Sequence, residues 1–297
     1  MIDTVFVTGG SSTLGQHVLR NLVSRVRVMA VVHQRRVEIP DAEFERLHGG
    51  LEATVRNPAA LQRVQVVLHM AALTHSDNAS EYFRVNTDLT KQLLCACLPS
   101  QHFAYVSTIC AHPDAGAYGR SKWLAEEAIR DSGLNYTIIR PTEIYGSGNS
   151  EGIDALIALA RKVRVLPDFR HGGSIKFAPI SVQEAAQFIS EATIRRHPAG
   201  QTYTLCAERS CAATEMAQAL RSSVRPLFVV PVPVGMLRAA KALGLPLPFK
   251  RDQIDRLVLP KTYNNALARR DYDFHPRSFL DYLAQGAKIT IGAGSGR

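Results

Sequence analysis

Long apolar runs are missing from this 297-residue sequence. None reaches the roughly 18 apolar residues that a membrane span requires. The nearest, "PLFVVPVPVGMLRAAKALGLPLPF" at 226–249, is interrupted by Arg238, Lys241 and prolines that would break a spanning helix. We read it as a docking helix between proline-rich connectors, with an interfacial membrane helix as the alternative. Cysteine is scarce. Cys95, Cys97, Cys110, Cys206 and Cys211 form an odd set without metal-ligand spacing, which suits reduced thiols and a cytoplasmic setting. The ten histidines show no such spacing either, so no metal is expected. Trp123, the single tryptophan, reads as a packing residue. The N-terminus runs straight into "TVFVTGG", leaving no room for a secretory signal, and none is expected. Long basic tracts are absent too. Lys and Arg number 35 against 26 acids, a formal charge of +9, but they come in short groups such as Arg35-Arg36, Arg195-Arg196 and Arg269-Arg270. That pattern argues against nucleic acid and for attraction of small anionic substrates.

What is present is alternation. Short β-rich apolar runs stand at 4–9, 25–32, 64–70, 102–108 and 136–140, with a further strand near 44–48. Helical patterns follow at about 13–24, 79–98 and 117–131. Strands alternating with helices predict parallel βαβ units in a doubly wound α/β sheet. Runs without internal polar alternation fit strands buried on both faces. After residue 145 the pattern loosens into a turn at "GSGN", a helix at 152–163, a stretch rich in glycine and proline, and several short helices. We therefore expect a first domain over 1–146, to which segments near 175–206 return, and a smaller, mainly helical lobe over 147–297. Such a lobe, outside the carboxyl ends of the strands, would close over a bound cofactor.

"VTGGSSTLGQHVL" follows the first strand and opens the first helix, the setting of a dinucleotide-binding turn. Gly9 and Gly10 permit the tight turn, Gly15 permits close helix–strand packing, and amides at the helix start can hold a pyrophosphate. The candidate contacts are Gly9, Ser11, Ser12, Thr13, Leu14 and Gly15. Ser12 occupies a position where the pattern wants glycine, and its hydroxyl either crowds the phosphate or donates to it. The second strand ends "VVHQRR", with His33, Arg35 and Arg36 and no acid. A carboxylate there would grip a ribose hydroxyl, whereas arginine pairs with a 2′-phosphate. The reading favours NADP(H), with NAD(H) as the alternative.

In "AYGRSKWLAEEAIRDSG", Tyr118 and Lys122 fall one helical turn apart and share a face. Alone this is a weak pattern. With "TGGSSTLG" (8–15), "LHMAALT" (68–74), "RVNTDLT" (84–90), "YVSTICA" (105–111), "IIRPTEIYG" (138–146) and "FAPISVQEAA" (177–186) in order, the chain resembles the extended short-chain dehydrogenase/reductases. Within them it is most similar to the NAD-dependent epimerase/dehydratase group acting on nucleotide sugars, from residue 4 to about 285. The terminal "RDQIDRLVLPKTYNNALARRDYDFHPRSF" is similar to the closing segment of such proteins.

The resemblance implies a Rossmann-type domain with a small C-terminal substrate lobe, Tyr118 as general acid/base, Lys122 as its helper and Thr108 as hydroxyl partner. Ser107 competes for the last role. Free tyrosine ionises near pH 10, and a cation one turn away favours the phenolate. Lys122 would also bond the nicotinamide ribose. Ala71 and Ala72 would let the cofactor lie near the backbone, Asn86 would brace the central strands, and Pro141 would lie near the nicotinamide. Thr74, Thr108, Glu143 and Lys176 are the candidate substrate contacts, and Arg161, Lys162, Arg164 and Lys176 line the segment expected to hold a diphosphate. Gly50 stands where an acid that contacts adenine is usual. Two further departures point away from the commonest substrates: Glu143 stands where asparagine is usual, and only ten positions separate Thr108 from Tyr118. The implied activity is hydride transfer between NADP(H) and a carbinol or ketone carbon, best matched by a nucleotide-activated 4-keto sugar. A C4 epimerase with tightly held NAD, a non-catalytic dinucleotide-binding protein and a lipid or sterol dehydrogenase are the alternatives. The expected partner is a small anionic molecule, and a homodimer is compatible with the resemblance.

Overall fold

The computed structural model describes residues 2–32, 39, 44–148, 152–195, 199–245 and 251–285. In chain order the first elements are β1 (Thr4–Thr8), α1 (Thr13–Val23), β2 (Arg27–Val32), β3 (Glu45–His48), α2 (Gly50–Arg56) and β4 (Val66–His69). They continue with α3 (Ala79–Tyr82), α4 (Leu89–Cys95), β5 (His102–Val106), α5 (Ala117–Arg130), β6 (Asn135–Pro141) and β7 (Ile144–Tyr145). Then come α6 (Gly152–Val163), β8 (Val165–Arg170), β9 (Ile180–Ser181), α7 (Val182–Arg195), β10 (Gln201–Leu205) and α8 (Ala213–Leu220). The last are β11 (Phe228–Pro233), α9 (Val234–Ala242), α10 (Arg251–Leu257), α11 (Ala266–Tyr272) and α12 (Phe279–Ala284). The chain forms two compact units: Met1–Pro141, Gln183–Thr204 and Ala266–Phe274 make the first, and Thr142–Val182, Leu205–Asn265 and His275–Arg297 the second.

The first unit is built on a seven-stranded sheet in the order β10-β6-β5-β4-β1-β2-β3. The pairs from β3 through to β6 are parallel. This is the Rossmann-type order, and its switch point lies at β1, where the chain winds first to one side and then to the other. β4 and β5 are buried at every position, which is why their sequences show no alternation. Helix α1 turns Gly15, Val18, Leu19 and Leu22 inward, a stripe at helical spacing. Phe6, Val67, Phe103 and Ile138 from the sheet pack with Leu93, Ala125 and Ile129 from α4 and α5. The later segments join through an aromatic cluster in which Phe188 lies 5.5 Å from Tyr203, 4.8 Å from Tyr272 and 5.3 Å from Phe274 between ring centres.

The second unit holds two small parallel sheets, β8 with β11 and β7 with β9. Its core gathers Ile153, Leu156, Ile157 and Ala160 of α6 with Met216, Ala217 and Leu220 of α8. Two expectations need correction. The helix expected over 79–98 is α3, a wider π-type turn over Phe83–Asp88, and α4. The stretch 226–249, read as a docking helix between connectors, contains the strand β11 before the helix α9. Pro231 and Pro233 mask that strand in the sequence, because proline cannot donate to a ladder and is tolerated only where no bond is needed.

Candidate active site

The glycine turn is shaped by close approach. Gly9 has φ +75°, and a Cβ there would lie 2.5 Å from the Ala71 nitrogen. A Cβ on Gly15 would lie 2.2 Å from the Gly9 carbonyl oxygen. Both positions therefore demand glycine. Thr8 laces the ends of β1 and β4 together, its Oγ1 accepting from the amides of Met70 (3.2 Å) and Ala71 (3.1 Å). Ser12 resolves the question its side chain raised. It is the N-cap of α1, accepting from the Gly15 amide at 3.0 Å and donating to the Gly9 carbonyl at 3.0 Å. Its φ of −72° needs no glycine. Ser11, Thr13 and Leu14 are half-buried around it. The cradle fits a dinucleotide, since backbone replaces side chains where phosphate must approach and the positive end of the α1 dipole faces it.

Asn86, expected to brace the central strands, does something else. Its Oδ1 accepts from the Leu73 amide at 2.7 Å, and its Nδ2 donates to the Leu73 carbonyl and to Ser121 Oγ, both at 3.0 Å. Ser121 Oγ in turn donates to the Tyr118 carbonyl at 2.7 Å. One buried amide thus clamps the segment after β4, carrying Ala71 and Ala72, to the helix turn between Tyr118 and Lys122. The π-type turn aims it there.

Tyr118 is buried at the start of α5, edge-on to the Tyr82 ring at 5.9 Å. Gly119 beside it is a second tight contact, because a Cβ would stand 2.3 Å from the Cys110 carbonyl oxygen. Lys122 is wholly buried. Its Nζ donates to the Val106 carbonyl at 2.9 Å and sits 4.0 Å from the centre of the Tyr105 ring. Burial brings it down to about 7, with the Glu126 charge opposing the shift. Thr108 lies two residues past β5, half-buried, its Oγ1 accepting from the Cys110 amide at 3.2 Å. Its rival Ser107 is occupied elsewhere, donating to Glu126 Oε1 at 2.5 Å. Glu126 also receives Arg130 and Arg140, both at 2.8 Å, so Ser107 belongs to a buried ionic network. The Pro141 carbonyl ends β6 by accepting from the Ile109 amide at 3.0 Å, which fixes the segment next to Thr108.

The structure thus gathers Gly9–Gly15, Ala71, Ala72, Asn86, Thr108, Tyr118, Lys122 and Pro141 at the carboxyl ends of β1, β4, β5 and β6. Thr74 is exposed in the same unit, its Oγ1 2.9 Å from His75 Nδ1. His33, Arg35 and Arg36 lie outside the described residues. Glu143 and Lys176 belong to the second unit. There Glu143 accepts from Lys261 at 2.7 Å in a largely buried pair. Lys176 and Lys261 line a cavity of about 360 Å³ with His171, Ser210 and Tyr263, and Arg161, Lys162 and Arg164 do not line it. Lys261, Gly119, Ser121 and Glu126 were not singled out from the sequence. Only Gly119 left a signal there, as a glycine inside a helical pattern. Among the described residues no group of three His, Cys, Asp or Glu side chains could hold a metal, and no helix is long and apolar enough to cross a membrane.

Comparison with known proteins bears on the same segments. The model of the NAD dependent epimerase/dehydratase family matches residues 5–168, and that of the RmlD substrate binding domain matches 100–273. Ceramide reductase of Caulobacter vibrioides is 31% identical over 61% of this chain, which spans 58% of that protein's length. UDP-glucose 4-epimerase of Vibrio cholerae is 25% identical over 87% of this chain and 86% of its own. The structure of UDP-glucuronic acid 4-epimerase from Bacillus cereus in complex with NAD superposes with a TM-score of 0.73 at 16% identity, covering 97% of this chain and 96% of that one, a likeness of fold. The order of the sheet, the glycine cradle and a family match over more than half of the chain lead to one conclusion: it belongs to the NAD dependent epimerase/dehydratase family, as an enzyme of the extended short-chain dehydrogenase/reductase type.

Proposed function

We propose that the chain is an NADP(H)-preferring oxidoreductase acting on a carbinol or ketone carbon, most simply that of a nucleotide-activated sugar. The observation that carries this reading is that Lys122, one turn after Tyr118, bonds the end of β5 two residues before Thr108. Asn86 ties the same turn to the segment after β4 that packs against Gly9, and Ser107 is withdrawn into the Glu126 network. The bound nicotinamide supplies or accepts the hydride. The chain's own residues handle the proton: Tyr118 Oη transfers it to or from the substrate oxygen, and Thr108 donates a hydrogen bond to that oxygen. Burial lowers the pKa of Lys122, anionic groups nearby would favour its charged form, and the cation then favours the phenolate of Tyr118. Gly9 to Gly15 hold the pyrophosphate, while Asn86 keeps both walls in register. Glu143 with Lys261, and Lys176 in the second unit, would recognise the polar and anionic parts of the substrate. The five cysteines form no disulfide, which suits a cytoplasmic enzyme.

The 31% identity to a ceramide reductase favours a second reading, in which the ketone belongs to a long-chain lipid. One experiment separates these readings and tests the cofactor. NADPH and NADH are titrated by fluorescence, and oxidation of the preferred one is followed with a uridine diphosphate 4-keto sugar and with a long-chain 3-keto base. His33, Arg35 and Arg36 lead us to expect NADPH to bind about 10- to 150-fold tighter, since charge-assisted contacts contribute roughly 1.5–3 kcal/mol. Equal affinities would remove the cofactor preference. Oxidation with neither substrate would remove the reductase reading, and NAD released from the purified protein on denaturation would favour the epimerase.

A further inference from the structure

The second unit exposes large apolar side chains on two consecutive elements. Phe228 and Val230 of β11 are exposed, as are Met236 of α9 and Leu243 and Leu245 just beyond it, with Leu243 at 79%. Met236 of α9 and Leu243, its C-cap, are seven residues apart and both exposed, while Val234 and Leu237 of α9 are buried in the core. The apolar face therefore does not hold the unit together. It is left for something else.

Two observations decide what covers it. Pro231 and Pro233 deprive β11 of two backbone donors, so the strand is a poor template for pairing with a strand of another chain. The sequence of this stretch is rich in bases, although Arg238 is neutralised by Asp255 of α10. From Glu215 to Asp252 the sequence has no acid, yet it has six bases: Arg221, Arg225, Arg238, Lys241, Lys250 and Arg251. Arg221 and Arg225 are exposed immediately before β11, and Arg238, exposed on α9, pairs with Asp255 at 2.9 Å. A second copy docked through the same patch would set these cations against themselves across a twofold axis. An anionic lipid surface would neutralise them and accept the apolar side chains without strand geometry.

We propose that β11 and α9 form a docking face for an anionic phospholipid bilayer, with α9 lying in the plane of the headgroups and Phe228, Val230, Met236, Leu243 and Leu245 facing the acyl boundary. The full chain is sedimented with sucrose-loaded vesicles of phosphatidylcholine alone and of phosphatidylcholine with phosphatidylglycerol. It should pellet with the second and not the first, and high salt should release it. The double variant Met236→Glu/Leu243→Glu should bind at least about tenfold more weakly. The pair Arg221→Gln/Arg225→Gln should also lose about 30-fold, at roughly 1 kcal/mol for each charge near the surface. Unchanged NADPH binding in both variants shows that they fold. A parent protein that ignores anionic vesicles, or a Met236→Glu/Leu243→Glu protein that binds them like the parent, overturns the proposal. So does a parent dimer, seen by sedimentation velocity without lipid, that this double variant converts to monomer, because the face then belongs to a second copy.

Discussion

Lys122 is wholly buried, bonded to the Val106 carbonyl and resting on the Tyr105 ring, and burial brings it to about 7. In the unfolded chain it keeps its ordinary value of 10.5. Between those values the unfolded state binds more protons, so rising pH favours the fold, and the destabilisation is complete only below about 7. Lys122→Met should therefore make the ligand-free protein more stable near neutral pH, by on the order of 2 kcal/mol once the lost Val106 bond is counted. The gain over the parent should shrink towards pH 10.5, and turnover should collapse. Urea unfolding of both proteins across that range checks it. Tyr118→Phe separates chemistry from packing in the opposite way. The ring and its contact with Tyr82 stay, cofactor affinity should change little, and turnover should fall about 10²- to 10⁴-fold. Single-turnover hydride transfer reads this directly. Tyr118, Lys122, Gly9 and Gly15 were legible in the sequence because their meaning lies in short spacings. The partners of Asn86 and Ser107 were not. Ser121 and Glu126 stand 35 and 19 residues away, and only the folded sheet brings them close.

At the scale of single elements, α1 and its turn are the most tightly determined part of the first unit. Gly15→Ala would drive a methyl group against the Gly9 carbonyl, so the turn or the helix must shift. Overpacking of this kind should destabilise by about 1–3 kcal/mol and weaken NADPH binding more than stability alone explains. Thermal shift with and without NADPH, set beside Gly133→Ala at an open left-handed turn, distinguishes crowding from strain. The central strands and α1, α5 and α6 could be read from pattern, because each is buried on both faces or carries one apolar stripe. Most strand ends were overrun by one or two residues, as in 102–108 against His102–Val106, whereas β6 runs one residue past each end of 136–140. β10, β8 and β11 went unread. The first has the composition of an ordinary loop-to-strand stretch, and the other two lie among prolines whose missing donors matter less at the border of a two-stranded sheet.

At the scale of the whole molecule, the two units are interleaved. The chain passes from one to the other at 141/142, 182/183, 204/205, 265/266 and 274/275. The first unit draws β10 for the edge of its sheet from residues past 200, and α7 brings Glu191 to Arg25 and Ser190 to the Val18 carbonyl. A fragment ending at Pro141 should therefore show no cooperative thermal transition by circular dichroism and no NADPH binding, although it contains the glycine cradle, Tyr118 and Lys122. A fragment that melts cooperatively would show that the late segments are ornament. The interleaving also sets a schedule during synthesis. At roughly 5–20 residues per second, the ribosome needs on the order of ten seconds after Pro141 to deliver Tyr272 and Phe274, which close the aromatic cluster. Until Gln201–Leu205 are made the β6 border of the nascent sheet is bare. Until Tyr272 and Phe274 follow, the ring cluster has at most Phe188 and Tyr203, so the chain is a client for holding chaperones long before it is an enzyme.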